Sequence, residues 1–76
     1  NMLYEVQRGC WNSVGPVKKL LLSLNYINLI QPNSFEEISH SLNVIDLSLN
    51  KLQAIKSYYF VNMTNLTELY LNNNQI

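Results

Sequence analysis

A single cysteine, Cys10, leaves this 76-residue chain without an internal disulfide, so it is not a cysteine-stapled mini-domain. One histidine, His40, stands alone between serines with no metal-ligand spacing around it, and the reading is an exposed loop residue. The two glycines form no glycine-rich phosphate loop. No Ser, His and Asp set and no pair of carboxylates suited to a cleft can be assembled, so neither catalysis nor a cofactor is expected. Five basic and five acidic residues cancel without forming a basic stripe, which gives this segment no nucleic-acid signature. No apolar run approaches the roughly 18 residues of a membrane span, and no charged-then-apolar leader opens the chain. Any membrane attachment is therefore expected from parts of a parent protein outside residues 1–76.

What the chain has is periodicity. Asn1, Asn25, Asn50 and Asn74 are spaced by 24, 25 and 24 residues, and each leads the same downstream pattern. Apolar residues recur two, five, ten and thirteen positions on: Leu3, Val6, Trp11, Val14; Ile27, Ile30, Phe35, Ile38; Leu52, Ile55, Phe60, Met63; and Ile76 after the last asparagine. Three apolar rungs precede each later asparagine: Val17, Leu20, Leu22; Leu42, Ile45, Leu47; Leu66, Leu69, Leu71. With 47% hydrophobic residues, filling all 22 positions by chance has a probability of roughly 10⁻⁷, so the repeat is real.

The segments LLLSLNYI, VIDLSLNKL and LTELYLNNNQI resemble the LxxLxLxxNxL signature of leucine-rich repeats, and the likeness covers the whole chain. The repeat length, with an aromatic ten residues after the asparagine (Trp11, Phe35, Phe60), is similar to the extracellular animal class that includes Toll-like receptor ectodomains. The resemblance implies an α/β-type repeat solenoid: a coil with a short parallel β-sheet on its concave face and irregular or short helical convex segments. It also implies an extracellular or cell-surface ligand-recognition scaffold of an innate immune receptor, the alternative being a matrix or cell-adhesion protein. Residues 1–76 hold about three repeats and no polar-faced capping unit, and the expectation is an internal fragment of a longer array. Cys10 is then either a packed free thiol or half of a disulfide to a preceding repeat.

Period-two alternation at Leu20 and Leu22 and at their equivalents predicts one short strand per repeat, with the leucines inward. The intervening residues then form a solvent-facing grid. Its rows are Lys19, Val44, Glu68; Leu21, Asp46, Tyr70; and Ser23, Ser48, Asn72. Apolar and acidic side chains mixed on such a face suit a protein or microbial ligand. Leu24, Leu49 and Tyr26 fall on a lateral flank, a candidate for subunit contacts such as receptor dimerisation. Asn25, Asn50 and Asn74 are expected to satisfy turn backbone groups between neighbouring repeats, and the three aromatics to fill the convex interior. The stretch NMTNLT holds two adjacent glycosylation sequons, on Asn62 and Asn65. Asn65, just ahead of a strand with its side chain expected free, is the preferred acceptor, and Asn62 the lesser one.

Overall fold

The computed structural model describes residues 3–7, 9, 11 and 15–76. Cys10, Asn1 and Val14 lie outside the described residues, and the two readings of Cys10 with them.

Five short strands form among the described residues: β1 (Glu5–Val6), β2 (Lys19–Leu21), β3 (Leu29–Ile30), β4 (Val44–Asp46) and β5 (Glu68–Tyr70). Strands β2, β4 and β5 make one parallel sheet in that order, one strand per repeat. In it Leu20 pairs with Ile45 and Ile45 with Leu69, so equivalent rungs of successive coils stand side by side. The ladder runs on beyond the strands, with Leu22 N–H donating to Asp46 O at 2.8 Å and Leu49 N–H to Asn72 O at 3.0 Å. At each asparagine the chain then turns away.

The expectation of one strand per repeat is incomplete. β1 and β3 form a second parallel pair, Glu5 with Leu29 and Val6 with Ile30, on the far side of the asparagine turn. The next coil carries Ala54 and Ile55 at the equivalent positions and forms no strand there. Alanine offers little side chain for cross-strand contact, which weakens the pairing. Between the strands the described residues close each coil with turns and one 3-10 helix, Glu36–Ile38, and include no α-helix.

Stacking the coils buries Val6, Leu20, Ile27, Ile30, Phe35, Ile38, Leu42, Ile45, Leu47 and Leu52, all rungs of the repeat, together with Tyr59. Each large aliphatic side chain so removed from water contributes roughly 1.5–3 kcal/mol before entropy is counted. Trp11, Phe35 and Phe60 stack as a spine, with centroids 6.3 Å apart at both steps and planes 21° and 8° from parallel. Of the described rungs, four remain exposed: Leu3, Ile55, Leu69 and Ile76. They belong to the first and last coils, where only one side has a described neighbour to cover it.

Candidate functional site

The asparagine turns fix the geometry of everything around them. Asn50, nearly fully buried, accepts from Ile27 N–H through Oδ1 at 3.0 Å, and its Nδ2 lies 2.9 Å from Leu22 O and 3.1 Å from Leu47 O. One side chain thereby serves backbone groups of two coils. Asn74 repeats the arrangement one coil on, accepting from Leu52 N–H at 3.0 Å and donating to Leu47 O and Leu71 O at 2.9 Å. Asn25 accepts from Leu3 N–H at 3.0 Å and donates to its own coil at Leu22 O. The asparagines bond to backbone, and no hydrogen bond joins one ladder side chain to another among the described residues.

On this frame two rows of the anticipated grid stand in register. Lys19, Val44 and Glu68 are aligned across β2, β4 and β5, as are Leu21, Asp46 and Tyr70. Leu21 is 67% exposed and Tyr70 44%, large apolar surfaces presented to solvent beside carboxylates. Lys19, Glu68 and Asn72 are exposed, and Ser23, Val44 and Asp46 half-buried. Ser48 departs from the expected solvent-facing set: it is buried, because its hydroxyl and its backbone N–H both donate to Asp46 Oδ1, at 2.6 and 3.0 Å. The carboxylate folds over the serine and satisfies it. Ser48 therefore positions Asp46 and offers a ligand little surface of its own.

Tyr70 donates its hydroxyl to Glu68 Oε1 two residues back on the same strand face. That hydrogen bond, reinforced by the charge of Glu68 and more weakly by burial and Asp46, raises the Tyr70 pKa above its ordinary value. The aromatic ring is thus held at the edge of an acidic pair. The Asp46–Ser48 and Glu68–Tyr70 pairings escaped the sequence reading. Their spacing of two, which in extended chain puts both partners on one face, was the available signal.

The lateral flank is exposed as expected, at 63% for Leu24, 44% for Leu49 and 46% for Tyr26. Tyr26 stacks on Tyr4 of the preceding coil, with centroids 5.5 Å apart. Leu24 and Leu49 also adopt left-handed backbone, φ 60° and 58°, a region that favours glycine and asparagine. The equivalent residue of the next coil is Asn73, at φ 60°.

The two sequons differ in setting. Asn65 is exposed, yet its Nδ2 donates to His40 O at 2.6 Å, and its carbonyl accepts from Asn43 Nδ2 at 3.0 Å. Its side chain is not free, contrary to the expectation that made it the preferred acceptor. Asn62 is exposed in a turn, with φ 64°. His40 is exposed, as read, and contributes its carbonyl to this contact.

Parallel strands in register, asparagine turns at a fixed interval and aligned outward side chains are the geometry of a repeat protein. The leucine rich repeat family model matches residues 15–76, and the chain belongs to the leucine-rich repeat family. It is 34% identical over 79 residues to human oligodendrocyte-myelin glycoprotein, a match covering 99% of this chain and 18% of that protein. It is 33% identical over 76 residues to human leucine-rich repeats and immunoglobulin-like domains protein 1, a match covering all of this chain and 7% of that protein. The chain thus spans less than a fifth of either relative. No solved structure matches it.

Proposed function

We propose that residues 1–76 form three turns of a longer leucine-rich repeat solenoid in an extracellular or cell-surface protein of the matrix or cell-adhesion type. The segment acts there as a protein-binding scaffold. The observation that carries the proposal is the register of β2, β4 and β5, which sets Leu21 and Tyr70 on either side of Asp46 with Lys19 and Glu68 at the margins. Rigid strands hold these groups without an ordering cost at binding, and an exposed aromatic beside aliphatics and charges is the composition of a contact surface. The words glycoprotein and immunoglobulin-like in the relatives' names support an extracellular setting, and both relatives support the matrix-or-adhesion reading better than the innate-immune one.

The test is binding of the secreted full-length protein to cell surfaces and to deposited matrix. Leu21→Asp with Tyr70→Ala is expected to reduce binding at least tenfold while leaving the melting temperature within a few degrees, since both side chains are exposed. Undiminished binding by this double variant removes the concave face from the proposal.

A further inference from the structure

We propose that, of the two adjacent sequons, Asn62 carries the glycan and Asn65 is kept as a tie between coils, the reverse of the sequence-based preference. The inference rests on the extracellular reading above.

Asn65 occupies the place in its repeat that Ser41 occupies one coil earlier. Ser41 Oγ donates to Val17 O at 2.8 Å and accepts from Val17 N–H at 3.1 Å, binding its coil to the one before. Asn65 does the same work through Nδ2 to His40 O, the residue just before Ser41. A sugar on Asn65 would replace one hydrogen of that nitrogen, 2.6 Å from the carbonyl, and set a pyranose ring in the junction between coils. Asn62 has no such duty: among the described residues no hydrogen bond engages its side chain, and only its backbone carbonyl accepts, from Thr64 N–H at 3.0 Å. Its left-handed backbone belongs to a turn that asparagine tolerates.

The surroundings of Asn62 also suit a sugar. It borders a recess of about 40 Å³ on the convex side, lined in part by Tyr58 and Val61, which are 37% and 50% exposed. The C–H face of the first sugar residue can cover these apolar surfaces and leave its hydroxyls in water. In the transfer itself, Asn62 Nδ2 attacks C1 of a lipid-diphosphate-linked oligosaccharide. The N–C1 bond forms as the C1–O bond to the diphosphate breaks. The lipid diphosphate leaves with the electron pair, and one Nδ2 proton passes to a base of the transferase.

The experiment is glycopeptide mass spectrometry of full-length protein expressed in a mammalian secretory host, before and after enzymatic deglycosylation. Conversion of an occupied asparagine to aspartate adds about 1 Da at the site. The expected result is the mark on Asn62 alone. Thr64→Ala should then remove one whole glycan from the protein, and Thr67→Ala should remove none. A secreted protein that carries glycan on Asn65, with or without Asn62, or on neither, overturns the assignment and leaves the extracellular reading standing. A protein that never enters the secretory pathway overturns that reading and this inference together.

Discussion

Ile45 and Leu69 are neighbours across one sheet at the same place in the repeat, yet Ile45 is completely buried and Leu69 is 38% exposed. The same contrast runs through the two coils: Leu42 and Leu47 are fully buried where Leu66 and Leu71 are half-buried, and Asn50 is buried where Asn74 is not. The sequence motif is the same in both. What differs is that, among the described residues, the central coil is covered on both sides and the last coil on one. Burial in this fold is set by the neighbouring turns, so the energetic weight of a leucine cannot be read from its place in the motif alone.

The largest expected effect tests that contrast at the aromatic spine. Phe35 is buried and lies between Trp11 and Phe60, whereas Phe60 is half-buried with a described aromatic from another coil on one side only. By denaturant unfolding of the full-length protein, Phe35→Ala should therefore cost about 3–5 kcal/mol, and Phe60→Ala about as much, because the next turn of the proposed solenoid covers its open side. A clearly smaller loss at Phe60 would mean that no further turn stacks against it.

Next in size is the strand pair itself. Ile45→Ala leaves a cavity with covered walls on both sides and should cost about 2–5 kcal/mol. Leu69, 38% exposed among the described residues, should lose as much on Leu69→Ala in the full-length protein, where the proposed solenoid continues over it. A loss of half that size or less would show that no further turn stacks against Leu69.

Much of this was legible because the burial pattern needs only periodicity. The rungs, the rows of the grid and the aromatic spine all follow from a period of about 24 with two-residue alternation in the strands. The remainder depends on groups that leave no apolar trace. The β1–β3 pair is made by backbone, with Glu5 and Leu29 facing outward, so no alternation announces it. Ser48 is buried by a carboxylate that could as well have faced solvent. Tyr59, beside the template aromatic Phe60, joins the core with an edge-to-face contact at 6.0 Å that the motif does not require. The tie from Asn65 ends on a backbone carbonyl, for which every residue is equivalent in sequence.

A smaller effect separates the asparagines. Asn50→Ala orphans Ile27 N–H and leaves the carbonyls of Leu22 and Leu47 without their shared donor, at a cost of about 1–3 kcal/mol. Asn43, off the ladder, would be silent if the repeat motif were the whole account. It donates to Asn65 O at 3.0 Å in an exposed setting, so Asn43→Ala should cost up to about 1 kcal/mol. Thermal unfolding of the two variants side by side decides the matter. Matching midpoints would deny the central asparagine its buried role.

The smallest effect has the opposite sign and concerns Leu24, Leu49 and Asn73, three equivalent residues with the same left-handed backbone. A leucine there suffers the close approach of its Cβ to the following carbonyl oxygen, a strain of order 1–2 kcal/mol that asparagine relieves in part. Burial returns little at Leu49, which is 44% exposed, and less at Leu24, at 63%. Leu49→Asn, which copies the residue found one coil later, should therefore stabilise the protein by about 0.5–1 kcal/mol, read as a small rise in the denaturation midpoint. If Leu49→Asn lowers the midpoint instead, the leucine packs more tightly against its neighbouring turn than its exposure implies. If the midpoint rises, the two leucines occupy strained, exposed positions that folding alone does not favour, and the lateral flank becomes the second surface at which to measure binding.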